Sequence, residues 1–379
     1  MIKLLPCLFF IVFVTLHVAL MIGLFLEFRR GRFIQPWVVK AVTPVSVIIP
    51  VHNEAGRIKP LLESLLVQDY PSIQIIFVDD RSTDDTVRLV TEFGERFTQG
   101  KHSCHIIRLA ENPGPNYKQV ALTYGFKEAS GEFILLTDAD CELPKTWVSG
   151  MVQRISMPDS GVVIGPVFKK IPELSFLYKT QAFDHAVRYM YLAASIGLGS
   201  AGGGFGNNMI VHKTALDSIG GYAAVPVSVT EDAAMISFIK SKTSFKIRAG
   251  FGSDIQVMTD TEPGWRQFLA QTLRWTKGGI FSPDRATRFS FTFLVGMIAL
   301  GILALPLVIL IPGIWLLPAG VYCAMSMNTL AVLRISGSAL KKLKPIDSIA
   351  QLFIIPILNT LLTLMAILRF SVYWKGEKV

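Results

Sequence analysis

Short apolar runs alternate with amphipathic stretches between about residues 45 and 261. The runs have the length and β-branched content of buried strands, whereas the stretches between them show helical spacing. The pattern predicts the following elements: strands at 45–50, 73–78, 105–108 and 133–137, a helix capped by Asn53 and ending near Leu66, and helices at 84–97 and 119–129. Strands that alternate with helices favour a mostly parallel α/β sheet. Ligands of such sheets bind at the carboxyl ends of the strands.

A long apolar run, residues 4–26, precedes this block and is long enough to cross a hydrocarbon core of about 30 Å. No small-residue cleavage site follows it, so an uncleaved anchor is favoured over a removed signal peptide. Only Lys3 precedes the run, whereas several cations follow it: Arg29, Arg30, Arg32 and Lys40. This bias predicts that the following block lies in the cytoplasm.

Two apolar runs near the other end, residues 289–311 and 314–332, are joined by Pro312-Gly313 and predict a helical hairpin across the bilayer. The basic residues outside the pair place both of its ends on the cytoplasmic side. A last run, residues 349–368, contains Pro356. It is either a fourth spanning helix, which we favour, or a kinked interfacial helix.

The composition supports a membrane protein. Hydrophobic residues make up 51% of the 379 residues, charged residues only 17%, and the mean hydropathy is +0.46, which is too apolar for an ordinary soluble protein. The net charge of +9 suits an anionic membrane surface or a phosphate-bearing ligand. No basic run with interleaved aromatic residues is present, so we expect no nucleic-acid partner. The scattered cysteines show no CxxC or zinc spacing, which predicts reduced thiols: Cys7, Cys104, Cys141 and Cys323.

A pair of acids, Asp79 and Asp80, ends the second predicted strand in the stretch VDDRSTDDT. Ser82 and Asp85 have the spacing of a capping box for the next helix, but capping does not account for the two acids before it. A carboxylate at this position can accept hydrogen bonds from a base N–H or from ribose hydroxyls. A ligand role and a plain strand end both remain open for this pair.

Asp138 and Asp140 end the fourth predicted strand in the stretch LLTDAD. Like charges this close repel, which costs stability unless a cation or hydrogen-bond donors compensate them. Mg²⁺ or Mn²⁺ takes one or two protein carboxylates together with substrate phosphates and water, so the pair fits a metal–diphosphate site. A solvated turn is the alternative interpretation, because the motif is short.

The stretch SVTED, residues 228–232, lies just ahead of a predicted apolar helix at 233–239. Ser228 and Glu231 have capping-box spacing, whereas a carboxylate in this first turn can also serve as general base for a hydroxyl. Capping is the stronger interpretation when the motif is taken alone. The glycine-rich stretch 202–208 is either a loop that admits a ligand close to the backbone or a flexible linker.

Gln271 and Arg274 share a helix face next to Trp275 in the stretch QTLRW. An interfacial helix explains these residues, and so does a ligand contact; both interpretations can hold at once. Lys118 lies just before a predicted helix, where it can meet a phosphate, although an exposed lysine is the commoner case.

The ordered set IIPVHNE, VDDRSTDDT, LLTDAD, TED and QTLRW, followed by apolar helices, resembles the family 2 glycosyltransferases, the group that includes cellulose, hyaluronan and poly-N-acetylglucosamine synthases and ceramide glucosyltransferase. The resemblance covers about residues 45–279. It implies an α/β fold, a GT-A nucleotide-diphospho-sugar transferase domain with a Rossmann-like mixed sheet, flanked by transmembrane helices. Three departures from the family pattern concern the acceptor more than the donor: His52, Thr123 and the triple glycine before Asn207-Asn208.

The resemblance, together with the local chemistry, implies a role for each candidate residue. Nucleotide-sugar binding is expected from Asn53, Glu54, Asp79, Asp80, Lys118 and Asp138. The metal, Mg²⁺ or Mn²⁺, is expected on Asp140 and Asp138. Asp232 is the expected catalytic base, and contacts with the diphosphate or the acceptor are expected from Glu231, Gln271, Arg274 and Trp275.

The expected activity is that of a metal-dependent, inverting glycosyltransferase at the cytoplasmic face of a bacterial inner membrane. It moves a sugar from a nucleotide-diphosphate sugar, expected to be a UDP-sugar, to a lipid or glycan acceptor. A processive polysaccharide synthase subunit and a non-catalytic nucleotide-sugar-binding subunit are the alternatives. The expected domains are an N-terminal anchor with a basic linker (1–40), a cytoplasmic catalytic domain (41–262), interfacial helices (263–288) and a C-terminal transmembrane region (289–379).

Overall fold

A computed structural model of the chain describes residues 4–32, 43–98, 102–112, 114, 116–228, 230–337, 339–371, 373–374 and 377–378. Lys3 and Lys40, used above for membrane orientation, lie outside these residues. The described residues divide into two compact units. Unit 1 comprises those within Met1–Leu26, Lys169–Ser200 and Thr261–Val379, and unit 2 those within Glu27–Phe168 and Ala201–Asp260. The expected catalytic domain, 41–262, therefore includes two segments that belong to unit 1, 169–200 and 261–262.

The elements are named here in chain order. The helices are α1 (Leu4–Arg32), α2 (Lys59–Leu66), α3 (Thr86–Phe97), α4 (Tyr117–Glu128), α5 (Trp147–Ile155), α6 (Phe176–Gly197), α7 (Lys213–Asp217), α8 (Glu231–Lys242), α9 (Trp265–Ile280), α10 (Arg285–Leu303), α11 (Leu316–Ile335) and α12 (Pro345–Ile367). The strands are β1 (Val45–Val51), β2 (Ile73–Asp79), β3 (Ser103–Arg108), β4 (Phe133–Leu136), β5 (Cys141–Glu142), β6 (Ser160–Ile164), β7 (Val167–Lys169), β8 (Met209–His212), β9 (Lys246–Ala249), β10 (Val257–Thr259), β11 (Tyr373–Trp374) and β12 (Glu377–Lys378).

Unit 2 is built on a mixed seven-stranded sheet of order β3-β2-β1-β4-β8-β6-β9. The first four strands in this order are mutually parallel, and β8 runs antiparallel to both of its neighbours. Strand β1 pairs Val51 with Asp79 of β2 and Ile48 with Leu136 of β4. The carboxyl ends of these three strands therefore meet at one edge, as the predicted parallel sheet requires. The interior of the sheet is fully buried, for example at Ile49 and Phe77.

The helix after β1 does not begin as the sequence predicted. Asn53 is not its cap, because α2 starts at Lys59 and has Ile58 at the N-cap position without a side-chain cap. Asn53 instead adopts a left-handed backbone with φ of 53°, and its Oδ1 accepts a hydrogen bond from the Thr83 amide at 2.8 Å. A contact with a distant loop thus replaces the local cap.

The capping box expected after β2 is also absent. Helix α3 begins at Thr86, and its N-cap residue Asp85 makes no side-chain cap hydrogen bond. The first turn is held by Asp84, whose Oδ1 accepts from the Thr86 amide at 3.0 Å. Ser82 uses its hydroxyl to accept from the Asn53 amide at 3.0 Å. Ser82 therefore joins the loops after β1 and β2 rather than capping the helix.

In the described part of the chain, four helices are long and apolar enough to cross a membrane: Leu4–Gly31, Arg285–Leu307, Leu316–Ile335 and Pro345–Ile367. Each coincides with one of the predicted apolar runs, and α12 continues through Pro356 as one helix. The loop between α10 and α11 turns at Gly313, which has φ of 85°. These helices suggest a membrane protein.

A buried polar chain links three helices of unit 1. The Asn328 amide donates to the Tyr191 hydroxyl at 2.6 Å, and that hydroxyl lies 3.0 Å from Nε2 of His17. Nδ1 of His17 lies 2.9 Å from the Phe13 carbonyl oxygen, which can only accept. Nδ1 of His17 therefore donates to this carbonyl, while Nε2 shares a hydrogen bond with the Tyr191 hydroxyl. Such hydrogen bonds between apolar helices help to fix their packing.

Helices α1 and α6 approach each other closely at Gly23 and Gly197. A Cβ atom on Gly23 would lie 2.3 Å from the Ala194 carbonyl oxygen, whereas one on Gly296 of α10 would meet nothing within 4 Å. Gly23→Ala is therefore expected to lower the thermal unfolding midpoint of the detergent-purified protein by several degrees, since overpacking costs about 1–3 kcal/mol. Gly296→Ala gains the same helix propensity without the clash and is expected to leave the midpoint unchanged or raise it. Equal midpoint changes in the two variants would contradict the close approach.

Candidate active site

The two acids at the end of β2 have different surroundings. Asp79 is 1% exposed; its Oδ1 accepts from the Ser82 amide at 3.2 Å, and its Oδ2 lies 3.7 Å from Nε of Arg108. Asp80 accepts from Nε of Arg81 at 2.8 Å, and the guanidinium of Arg81 stands 5.0 Å from the centre of the Tyr117 ring. Asp79 thus holds the strand end together, whereas Asp80 pairs with a cation that itself stands over an aromatic ring.

Asn53 and Glu54 stabilise the loop next to these acids. Glu54 is 5% exposed and forms an ion pair with Arg57, and its amide donates to the Thr86 hydroxyl at 2.7 Å. Together with the contact between Asn53 and Thr83, these bonds tie the loop after β1 to the loop after β2. Nucleotide binding by Asn53 and Glu54 remains a prediction.

Lys118 connects two motifs that are far apart in the sequence. Its Nζ lies 2.7 Å from Oδ1 of Asp138 and 3.5 Å from Oε1 of Glu231. Burial alone would lower the pKa of Lys118, but the charges of Asp138, Glu231 and Asp232 raise that pKa above its ordinary value. Lys118 is therefore a cation at neutral pH, and it supplies part of the positive charge that the acids after β4 need.

Asp140 lies in the turn between β4 and β5, next to the fully buried Cys141. The Cys141 sulfur is 3.8 Å from Oδ1 of Asp140. Burial raises the pKa of the Cys141 thiol well above its ordinary value, and the charges of Asp140 and Asp138 raise it further. Cys141 therefore stays a neutral thiol and does not compete as a thiolate for a metal ion.

The acids after β4 fit a metal that also binds the substrate. Within the residues that the structure describes, no group of three or more His, Cys, Asp or Glu side chains is arranged to hold a metal ion by itself. Mg²⁺ and Mn²⁺ sites that include substrate phosphates need only one or two protein carboxylates. Asp138, whose side chain is 31% exposed, and Asp140 supply that number at one strand end.

Asp232 lies in the first turn of α8 and accepts two backbone hydrogen bonds. Its Oδ1 accepts from the Ala233 amide at 2.7 Å, and its Oδ2 accepts from the Gly206 amide at 2.9 Å. A Cβ atom on Gly204 would lie 3.0 Å from the Asp232 carboxyl carbon, and one on Gly206 would lie 3.2 Å from its Cβ. The glycine-rich stretch thus packs on this carboxylate, which neither interpretation of that stretch had foreseen.

The capping box expected at α8 is absent. Thr230 occupies the N-cap position without a side-chain cap, and the Ser228 hydroxyl accepts from the Thr230 amide at 3.2 Å. Glu231 does not return to a backbone amide in that box but faces Lys118. The acids of this motif are therefore held by tertiary contacts.

The first turn of α4 fixes the segment that leads to these acids. Asn116 caps α4 by accepting from the Gln119 amide at 3.1 Å, and its own amide donates to the Ser228 carbonyl at 2.5 Å and to Glu231 at 3.4 Å. Gln119 donates to the Val225 carbonyl at 3.2 Å and accepts from the Ser228 amide at 3.1 Å. Sequence reasoning missed both residues; the asparagine two positions before Lys118 was a capping signal.

Gln271, Arg274 and Trp275 lie on α9, which belongs to unit 1. Gln271 is 7% exposed, and its amide donates to Oε1 of Glu262 at 2.8 Å. Arg274 and Trp275 are partly exposed. The predicted helix is confirmed, whereas the predicted contacts of these residues with a diphosphate or an acceptor remain predictions.

Comparison with known proteins finds a family model and curated relatives that all concern sugar transfer. The family model described as glycosyl transferase family 2 matches residues 46–230. The probable glycosyltransferase YdaM of Bacillus subtilis (strain 168) is 28% identical over 277 residues, which are 69% of this chain and 62% of that protein. The beta-monoglucosyldiacylglycerol synthase of Nostoc sp. (strain PCC 7120 / SAG 25.82 / UTEX 2576) is 26% identical over 259 residues, which are 66% of this chain and 52% of that protein. The chain thus matches less than two thirds of the length of these relatives.

A solved structure supports the fold. The mannosyltransferase PcManGT from Pyrobaculum calidifontis, in complex with GDP-Man and Mn²⁺, aligns over 93% of this chain and 99% of its own, with a TM-score of 0.51 and 20% identity. The likeness confirms the predicted GT-A fold. The family model, which matches just under half of the chain, and the curated relatives support a family 2 glycosyltransferase.

Proposed function

We propose that the protein transfers a sugar from a nucleotide-diphosphate sugar, a UDP-sugar in the first instance, to a lipid or glycan acceptor at the cytoplasmic face of a membrane. One observation carries the proposal. Lys118 brings the acids after β4 and the acids that begin α8 together, with Asp138 at 2.7 Å and Glu231 at 3.5 Å. Lys118 thereby joins the end of β4, the proposed metal site, to the start of α8, which carries the proposed base Asp232.

The donor half of the proposal rests on the edge formed by β1, β2 and β4. We assign the nucleotide base to Asp80 and the ribose side to Asp138; Asn53, Glu54 and Asp79 support the adjoining loops. Asp140 and Asp138 would hold Mg²⁺ or Mn²⁺. When bound, the ion stabilises the negative charge that develops on the departing diphosphate.

The chemical step needs a base for the acceptor hydroxyl. The bond between the acceptor oxygen and the anomeric carbon forms as the bond from that carbon to the diphosphate breaks, and the hydroxyl proton passes to Asp232. The amides of Gly206 and Ala233 both donate to Asp232, so they fix the orientation of its carboxylate. One displacement of this kind inverts the anomeric configuration.

The acceptor half of the proposal is supported by the apolar helices and by α9. Gln271, Arg274 and Trp275 keep the roles that the family resemblance implies, at the diphosphate and the acceptor. Four helices with membrane-spanning length favour an acceptor that is itself in the membrane. We therefore place single addition to a lipid, or assembly of a short glycan, ahead of processive polysaccharide synthesis.

The proposal is tested by incubating the detergent-purified full chain with a panel of labelled UDP- and GDP-sugars, host membrane lipids, and either Mn²⁺ or EDTA. We expect free nucleotide diphosphate from one donor, label in the lipid or glycan fraction, and loss of both with EDTA. A folded protein that releases no nucleotide from any donor, with either Mn²⁺ or Mg²⁺, would overturn the proposal. Label confined to a long polymer would favour the processive alternative.

A further inference from the structure

One face of α6 carries four polar side chains that no sequence motif singled out. They recur at the helical spacing i, i+3, i+4 and i+7: Gln181, Asp184, His185 and Arg188. The first three are 1%, 2% and 4% exposed. Buried polar groups are costly unless they have partners, so this face has a structural or functional reason to be polar.

Arg188 is held from one side by a buried acid. Its Nε donates to Oδ2 of Asp184 at 2.7 Å and its Nη2 donates to Oδ1 at 3.4 Å, so the two planar groups meet in a fork. The guanidinium carbon stands 5.4 Å from the centre of the Trp275 ring, which is within the range of a cation–π contact. The ion pair therefore fixes the cation that covers the indole.

His185 also faces the indole, with a ring-to-ring distance of 5.7 Å. Burial lowers the pKa of His185 well below its ordinary value, and the charges of Lys169 and Arg188 lower it further. His185 is therefore neutral at physiological pH and serves as an aromatic neighbour. The charge beside Trp275 on this helix face is that of Arg188.

The same face of α6 also holds the segment just before α9 in place. Gln181 exchanges two hydrogen bonds with the backbone of Glu262, each 2.8 Å long, and the Glu262 carboxylate accepts from Gln271 at 2.8 Å. Helix α6 thus contacts the last residue of the QTLRW motif directly and reaches the first residue, Gln271, through Glu262. Within unit 1, α6 supports this motif from Gln271 to Trp275.

We propose that Arg188, fixed by Asp184, is a positioning residue that orients the Trp275 indole for an acceptor bearing a sugar ring or a similar ring with an apolar face. The inference rests on the proposed function, because it takes Trp275 as an acceptor contact. A cation on one side of an indole restrains the ring plane, and the partly exposed remainder of the ring stays available for stacking. Arg188 then acts on acceptor binding and not on the donor.

The test is a double-substitution cycle in the detergent-purified full chain. The variants are Arg188→Gln, Trp275→Leu and the two combined, and the acceptor probe is a titrated total lipid extract of the expression host. Arg188→Gln is expected to raise the half-saturating extract concentration about three- to tenfold and to leave the donor KM unchanged. In the Trp275→Leu background the same change is expected to add little, because coupled residues are not additive.

Two further variants serve as controls for misfolding and for loss of charge. Removal of Arg188 alone leaves Asp184 buried and unpaired, so Asp184→Asn combined with Arg188→Gln supplies a neutral version that is expected to fold and to show the same acceptor effect. Arg266→Gln removes an exposed charge from α9 and is expected to change neither constant. The positioning role would be overturned if Arg188→Gln raised the half-saturating extract concentration equally with and without Trp275. It would also be overturned if Arg188→Gln raised the donor KM as much as the half-saturating extract concentration. A wild-type protein that releases no nucleotide would overturn the proposed function and this inference with it, whereas normal transfer by Arg188→Gln would overturn only the inference.

Discussion

Asp232→Asn is expected to lower the turnover number of sugar transfer about 10³-fold, the range that a general base contributes. Asparagine has the size of aspartate, and its carbonyl oxygen can still accept from the Gly206 amide, which lies 2.9 Å from the carboxylate in the wild type. It cannot take the proton of an acceptor hydroxyl at neutral pH. The variant should therefore fold and bind the donor while failing in the chemical step.

The measurement for Asp232→Asn combines steady-state transfer with calorimetric titration of the nucleotide diphosphate. We expect the dissociation constant of the nucleotide to change less than about threefold, because no base or ribose contact is removed. Asp217→Asn is the matched control, since it neutralises an exposed aspartate in α7 and is expected to leave turnover unchanged. A turnover number within a few-fold of the wild type would show that Asp232 is not the base.

Three of the predicted strands of unit 2, β1, β2 and β4, were predictable because they are buried on both faces, so the local sequence carries the signal. The run predicted at 73–78 is β2, Ile73–Asp79, whose interior residues Ile75 to Val78 are fully buried. The parallel order then places the strand ends at one edge, as was also predicted. The apolar helices of the terminal regions were also predictable from local sequence, because length and composition suffice to identify helices that can span a membrane.

The start of α2 could not be predicted from local pattern, because a tertiary contact replaces the local one. Asn53 satisfies the Thr83 amide, 30 residues away, instead of capping α2. The Lys118 ammonium meets Glu231 across an even longer separation. A lysine near the start of a helix has many possible partners in the sequence, and its actual partners are known only from the folded structure.

Helix α6 was missed for a different physical reason. Most of its circumference is buried, so the apolar and polar residues do not separate into the two faces that periodicity arguments need. Asp184 and Arg188 therefore have the spacing of an ordinary surface ion pair in the sequence. Their burial and their contact with Trp275 become visible only when α9 packs against them within unit 1.

Asp140→Asn is expected to lower metal-dependent transfer by on the order of 100-fold and to raise the Mn²⁺ concentration needed for half-maximal activity. The expectation depends on how charge is shared at the end of β4. The Lys118 ammonium lies 2.7 Å from Asp138, and its positive charge opposes a second cation on that carboxylate. The carboxylate of Asp140 is therefore the one on which a divalent ion should depend most.

Asp138→Asn is the informative comparison for Asp140→Asn. It leaves Lys118 with Glu231 as a partner, so we expect a higher donor KM and a smaller change in Mn²⁺ affinity than in Asp140→Asn. Mn²⁺ binding is measured without turnover, as loss of the free-ion electron paramagnetic resonance signal in the presence of the nucleotide diphosphate. Asp159→Asn neutralises an exposed aspartate between α5 and β6 and is expected to bind Mn²⁺ as the wild type does. If Asp140→Asn bound Mn²⁺ as the wild type does, Asp140 would not be a metal ligand. If Asp138→Asn lost more Mn²⁺ affinity than Asp140→Asn, Asp138 would be the principal ligand.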